Sequence, residues 1–367
     1  MLHSGVMASP PPRVTIAVIA RERFEKSVET LEQILAVTAP PYDLVCVDGN
    51  APSDVRAGLE ALATRHGFEL LLVDEYIAPN QARNLAAGGS TTDYVCFVDN
   101  DLWVTAGWLD RLVEAADETG AWAVGPLYLE GDPEGDIAHM LGGEMSLTGP
   151  PGARVFHEHH HHQALPISEL PEPLRRGETG LLEMHCLLVR REALDLLMPL
   201  DEGLLSMGEH VDICLQILDA GGKLIMEPES RVTYLSPPPI RRSDFAFYQL
   251  RWSEAWNSAS ADRMAEKYGL VAPEKTWWMR VFRSHRLLYA ARIKQTCIRL
   301  FGRRLGRLAW APFVAVDLVL NRLLVRRLPG PARPRRFHVD RSDAGNAAGR
   351  LVEARPMDVE AAGGVPR

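Results

Sequence analysis

Apolar and polar positions along the first third of the chain alternate between two rhythms. Val14-Thr15-Ile16-Ala17-Val18-Ile19-Ala20 is a continuous, β-branched apolar run closed by Arg21-Glu22-Arg23, and Phe24 to Val37 then repeats its apolar residues at helical spacing. That is one strand followed by one helix. The unit recurs: Leu44 to Val47 closes on Asp48-Gly49-Asn50, Asp54 opens a helix to about His66, Phe68 to Val73 is a third strand, and Asn80 to Ala87 reads as a helix. Tyr94 to Val98 runs into Asp99-Asn100-Asp101, and Thr105 can cap a helix whose inner face is Trp108, Leu109, Leu112, Val113 and Ala116. The order predicts an α/β fold with a mainly parallel, doubly covered sheet.

Beyond Gly131 the pattern is less regular and rich in Gly, Pro and Glu, and it contains His157-Glu158-His159-His160-His161-His162. Consecutive histidines diverge on a helix or a strand, so their spacing encodes no tight chelate, and the segment reads as a polar loop. Leu182 to Val189 is predicted as a strand and Arg191 to Met198 as a short helix. Gly208-Glu209-His210-Val211-Asp212 opens a helix that stops at Gly221-Gly222, with further strands at Lys223 to Met226 and Val232 to Tyr234. The predicted organisation is a disordered leader (1–12), a ligand-binding half (13–129), a second half of the same domain (130–240), a helical basic extension (241–328) and a disordered tail (329–367).

Composition narrows the class. With 46% hydrophobic and 24% charged residues, collagen-like, wholly disordered and disulfide-scaffold chains are excluded. The five cysteines show no CxxC spacing and read as reduced. No run of 18 apolar residues occurs, and the first twelve residues lack a basic region followed by an apolar core, so a cytoplasmic location is expected. The net charge of −8 conceals an asymmetry: Lys275 to Arg336 carries +15, leaving −23 on the remainder. Leu308 to Val325 is apolar, but it is broken by Pro312, Asp317, Asn321 and Arg322 and flanked by arginines. Residues 296–327 therefore suggest a helix lying on an anionic membrane surface, or else one packed on the acidic body. No nucleic-acid-binding motif accompanies the charge, and no nucleic-acid partner is expected.

In parallel sheets ligands bind beyond the carboxyl ends of the strands, which here are Ala20-Arg21-Glu22, Asp48-Gly49-Asn50 and Asp99-Asn100-Asp101. Two carboxylates one residue apart at such an end are hard oxygen ligands suited to Mg²⁺ or Mn²⁺, although acids also serve simply as solvated strand ends or caps. Asp48 can accept a ligand hydrogen bond or stabilise the turn before Gly49.

Taken together, several segments resemble family 2 glycosyltransferases. Asn80-Gln81-Ala82-Arg83-Asn84-Leu85-Ala86 followed by Asp93 to Asp101 resembles that family's Ala-Arg-Asn helix and metal-binding acidic motif. Val45 to Asn50 is similar to its second strand, Glu209 to Leu215 to the helix start holding the catalytic base, and Glu183 to Leu194 to the segment before it. The resemblance implies a nucleotide-diphospho-sugar transferase fold of the GT-A type. It also implies transfer from a nucleoside-diphosphate sugar, a UDP-sugar being favoured, to a saccharide, lipid-linked or small-molecule acceptor. A divalent cofactor, Mn²⁺ or Mg²⁺, would sit on Asp99 and Asp101. Ala20, Arg21, Asp48, Asn50, Arg83, Asn84 and Asn100 would bind the nucleotide sugar, and Glu209, His210 and Asp212 would serve catalysis, with the base divided between Glu209 and His210. The histidine loop would cover the acceptor side. Two departures stand out: the family commonly shows Glu-Asp where this chain has Glu209-His210, and the first strand lacks the usual aromatic partner for the base. A sugar nucleotidyltransferase would share the sheet, but Ala20-Arg21-Glu22-Arg23 has no glycine to cradle a phosphate. A catalytically silent scaffold would have little need of both aspartates.

Overall fold

A computed structural model describes residues 11–20, 23–235, 240–271, 281, 283–326, 335–340 and 350–353, the last two segments by backbone alone. Its first half follows the strand and helix rhythm: β1 (Val14–Ile19), α1 (Ser27–Val37), β2 (Asp43–Gly49), α2 (Ser53–His66), β3 (Glu69–Val73), α3 (Pro79–Ala87) and β4 (Tyr94–Asp99). β3, β2, β1 and β4 lie side by side and all parallel. Their register sets Ile19 opposite both Val47 and Asp99, so the ends of β1, β2 and β4 share one rim.

The second half is mixed. It contains β5 (Leu102–Val104), α4 (Trp108–Thr119), β6 (Ala123–Glu130), β7 (Ala138–Met140), β8 (Gly143–Thr148), β9 (Val155–His160), β10 (Gly177–Glu178), β11 (Cys186–Arg190), α5 (Arg191–Leu197), α6 (Glu209–Asp219) and β12 (Leu224–Tyr234). Then come α7 (Phe245–Arg251), α8 (Glu254–Tyr268), α9 (Ala291–Val325), β13 (Arg335–Asp340) and β14 (Arg350–Glu353). The sheet runs β10-β12-β6-β11-β4-β1-β2-β3-β13-β14. β11 is antiparallel to both β4 and β6, so the parallel ladder ends at β4.

Strand alternation divides the core between the two faces. Ala17, Ile19, Val95 and Phe97 pack with Leu194, Val211 and Ile213 on one side. Val14, Ile16 and Val18 pack with Leu31, Leu59, Trp108 and Leu112 on the other. Each fully buried Leu, Ile or Phe contributes about 1.5–3 kcal/mol, so the double cover fixes the rim firmly.

Several expectations need correction. The histidine segment is no loop: Val155 to His160 is β9, paired antiparallel with β8 in a separate two-stranded sheet. The strand expected from Leu182 begins only at Cys186, because Glu183 and His185 are buried polar residues engaged in the site and leave the ladder. The two strands expected after Gly222 are one, β12, with an irregularity between Glu227 and Arg231. Across the boundary expected at 240, Arg251, Asp244 and Tyr268 all reach elements before it. Within the tail expected to be disordered, β13 pairs with β3 and β14 with β13. Most of the expected leader lies outside the described residues.

Candidate functional site

The rim where β1, β2 and β4 end gathers charged side chains that a sheet interior could not hold singly. Asp99 closes β4 and Asp101 follows two residues on, both fully buried. Buried carboxylates require compensation. Asp99 Oδ2 accepts a hydrogen bond from His185 Nδ1 (2.8 Å) and its Oδ1 lies 3.6 Å from Arg83 Nη2. Asp101 Oδ2 accepts from Arg23 Nε at 3.2 Å. Hard oxygens ending a rigid strand fit a Mg²⁺ or Mn²⁺ ion. The guanidinium and imidazole groups around them bring positive charge to the same acids.

Arg83 is the hub. Buried on α3, it donates to Asn80 Oδ1 (3.1 Å), faces Asp99, and places Nη1 3.8 Å from Glu209 Oε1. Glu209 is the first residue of α6, which starts at Gly208 with φ 97°, a left-handed conformation that glycine adopts without a Cβ clash. Arg251 Nη2 stands 3.8 Å from the same oxygen, and that oxygen accepts no hydrogen bond among the described residues. It is a buried carboxylate oxygen held between two cations with its acceptor capacity open.

His210 follows on α6, with Nε2 3.2 Å from Glu158 Oε1 on β9. Burial alone would lower the His210 pKa, but Glu183, Glu158 and Glu209 overcome it and raise it to about 9. Burial would likewise raise Glu158, yet its bonds from His160 and His210 lower it to about 2. Glu183 is buried, and the charges of His210, His185, His139 and His160 outweigh that burial and hold its carboxyl below the usual range. At neutral pH, then, His210 carries a proton and both glutamates are ionised.

The remaining expected residues divide. Asp48 is buried at the end of β2, accepting from the Ala51 N–H (2.7 Å) and Arg56 Nε (2.6 Å). Burial raises its pKa, against the opposing pull of Arg56. Asn50 sits at the rim with φ 70° and Ala20 is buried just after β1; Arg21 lies outside the described residues. Asn100 turns its amide to Arg23 O (2.8 Å) and Ser27 Oγ (2.9 Å), a fold-holding use rather than an open ligand. Asn84 faces away from the rim: its amide bonds Leu200 O and Glu202, fixing the loop after α5. Asp212 accepts from Tyr268 Oη (2.6 Å) and pairs with Lys267 (2.6 Å), locking α6 to α8.

Sequence reasoning passed over Arg23, Arg251 and Glu158 as site residues. Arg23 and His185 each adjoin a segment already singled out and Glu158 lies within the histidine segment, whereas Arg251 carries no local signal. An aromatic stack of Phe24, Tyr76 and Phe247, with centroids 5.0–6.2 Å apart, also stands in this region. Phe24 and Phe247 are buried in the core and Tyr76 is half-buried, with Ile77 beside it packing against Gly49, so of the three rings Tyr76 alone keeps some exposure near the end of β2.

Comparison with known proteins gives the chain its relatives. Residues 15–197 match the family model described as Glycosyl transferase family 2. The chain is 30% identical over 274 residues to the succinoglycan biosynthesis protein ExoM of Rhizobium meliloti (strain 1021), covering 73% of this chain and 77% of that protein. It is 27% identical over 229 residues to succinoglycan biosynthesis protein ExoO of the same organism, covering 61% and 60%. Among solved structures it is similar to the mannosyltransferase PcManGT from Pyrobaculum calidifontis in complex with GDP-Man and Mn²⁺, at 16% identity and a TM-score of 0.47 over 87% of this chain and 88% of that one.

Proposed function

Since the chain belongs to glycosyl transferase family 2, we propose that it moves a sugar from a nucleoside-diphosphate donor, a UDP-sugar being favoured, to a saccharide or lipid-linked acceptor by metal-dependent, inverting transfer. One observation carries this reading: a single buried guanidinium, Arg83, faces the strand-end acid Asp99 and the helix-start acid Glu209 together. It puts a leaving-group site and a proton acceptor within the reach of one side chain.

Asp99 and Asp101 would hold Mn²⁺ or Mg²⁺, which when bound neutralises charge growing on the departing diphosphate. Arg23 and Arg83 add fixed positive charge beside those acids. Glu209 takes the proton of the acceptor hydroxyl through its open oxygen, and Arg251 and Arg83, each 3.8 Å from that oxygen, hold the carboxylate in place. His210 is the weaker candidate for base because its Nε2 is committed to Glu158; it positions the acceptor instead. Asp212 orients α6 through Tyr268 and Lys267. Asp48 and Asn50 receive the nucleoside, and Ala20 and Arg21 are assigned to the same ligand. Two relatives named for succinoglycan biosynthesis favour a growing saccharide as acceptor.

The arginine-flanked α9 supports work at the cytoplasmic face of a membrane. Among the described residues, Arg283 to Val325 is the one helical stretch long and apolar enough, by length and composition alone, to cross a bilayer. Gly302 (φ 73°, ψ 171°) breaks it, and a Cβ on Gly306 would lie 2.6 Å from Ile298 Cα, so its two arms pack against each other. A surface-lying helix suits this shape.

Thermal unfolding with UDP, GDP and their sugars, with and without Mn²⁺, tests the reading. A ligand at one hundred times its Kd stabilises the fold by about 2.7 kcal/mol. Stabilisation by one nucleotide class with Mn²⁺, lost in Asp101→Asn, is expected; the same stabilisation in that variant or in excess chelator would remove the metal's role.

A further inference from the structure

The histidine-rich strand β9 presents two faces. Residues two apart on a strand share a side, so Phe156, Glu158 and His160 turn inward while His157 and His159 are exposed. The inward pair meets His210 at the start of α6. Glu158 Oε1 lies 2.5 Å from His160 Nε2 and 3.2 Å from His210 Nε2, and one ligand atom from each residue falls within 4.8 Å of the other two.

We propose that Glu158, His160 and His210 form a binding site for a zinc-class divalent cation, which ties the β8–β9 hairpin to the start of α6. Zinc bonded to histidine nitrogen and carboxylate oxygen at about 2.0–2.2 Å holds its donors roughly 3.3–3.5 Å apart in a tetrahedron. The Glu158 to His210 spacing is near that value, and a small outward shift of His160 brings the third donor into line. Binding releases to solvent the proton that His210 otherwise carries, and the two neutral imidazoles and one carboxylate are then a borderline set that selects zinc over magnesium, whereas Asp99 and Asp101 offer only hard oxygens. The chain thus separates two cations by ligand chemistry. Glu158 and His160 keep partial exposure, giving the ion a way in and leaving a fourth position for water. Glu183, buried close to both imidazoles, adds negative charge that favours a dication. The ion would fasten the hairpin beside Glu209, on the acceptor side of the site.

The inference does not depend on the donor chemistry above, and its test reads metal binding rather than transfer. Full-length chain stripped of metal is titrated with Co²⁺, followed by visible d–d absorption, and then with Zn²⁺, with bound zinc counted after gel filtration. One cobalt per chain with tetrahedral-type absorption, displaced by zinc, is expected. Affinity should fall at least tenfold in His160→Ala and in Glu158→Gln and persist in Asp101→Asn. It should also persist when His157, His159 and His161 are all replaced by Asn. Absence of binding in the wild type, unchanged binding in both His160→Ala and Glu158→Gln, loss in Asp101→Asn, or loss in the triple surface variant would each overturn it. If His160→Ala fails to fold, judged by circular dichroism of the metal-free chain, Glu158→Gln alone decides.

Discussion

At the scale of single residues, the division of labour between Glu209 and His210 turns on what each side chain already touches. A general base must have a lone pair free when the acceptor arrives, and contributes roughly 10²–10⁴-fold to rate. Among the described residues Glu209 Oε1 has two guanidiniums at 3.8 Å and no hydrogen bond, whereas His210 Nε2 is engaged by Glu158. Glu209→Gln should therefore cut kcat by about two orders of magnitude or more with donor affinity preserved, measured by steady-state kinetics beside nucleotide titration. His210→Gln should act mainly on acceptor KM; the reverse pattern would transfer the base role to His210. A second residue-scale effect lies at Glu25, whose backbone N–H donates to Asp244 Oδ2 at 3.3 Å. Burial, then hydrogen bonding and repulsion from Asp244, raise the Glu25 pKa to about 7, with Arg23 opposing. Because the folded state holds that proton more tightly than the unfolded chain, the stabilisation is complete below about pH 4.5 and is lost as pH rises toward 7. The slope of unfolding free energy against pH over that window should flatten in Glu25→Gln, as denaturant melts at successive pH values would show.

Among the elements, α9 is unusual in the direction of its polarity. Gly306, Trp310, Asp317 and Asn321 form its buried stripe, while Leu305, Leu308, Val316, Val319, Leu320 and Leu323 are exposed. Polar contacts hold the inner side: Asp317 pairs with buried Arg286 at 2.9 Å and accepts from Tyr289 Oη, and Asn321 bonds Gln249 on α7. Removing one partner of a buried ion pair strands the other and costs about 3–5 kcal/mol, whereas replacing both with apolar groups is often neutral. Asp317→Ala should lower stability by that order, and Arg286→Met with Asp317→Leu should restore most of it, both read from equilibrium unfolding. A double variant as unstable as the single would mean that the pair is worth more than its packing. The sequence shows Asp317 and Asn321 as interruptions of an apolar run, but only tertiary contact reveals that these interruptions are the docking face.

Over the whole molecule, legibility follows the range of the interactions involved. The rhythm of β1 to β4 and the position of the strand-end acids are written locally, because burial on both faces demands continuous apolar runs and rims demand polar ones. The GT-A type α/β architecture expected from the resemblance is accordingly borne out. Antiparallel β11 and the Arg251 contact are not legible in this way, since each depends on partners tens of residues distant; the β8–β9 hairpin is local, but its run of histidines hides the strand alternation. The charge asymmetry, by contrast, is a global property that the sequence states outright, and the fold gives it a consequence. The outward apolar side of α9 is continuous with exposed Arg303, Arg304 and Arg307 on an otherwise acidic chain. An apolar face rimmed by arginines binds anionic bilayers by two additive terms, burial of leucines and about 1 kcal/mol per cationic residue near the surface. Only the second is screened, with a Debye length of about 8 Å at physiological salt and 3 Å at 1 M. Sedimentation with phosphatidylserine-containing vesicles should hence fall as salt is raised, and replacing the three arginines with Gln should remove that salt dependence. Leu305→Gln with Leu308→Gln and Leu320→Gln should weaken binding at every salt concentration. Binding that ignores both sets of substitutions would place the membrane contact elsewhere on the chain, and no sedimentation at low salt would leave α9 as a packed helix alone.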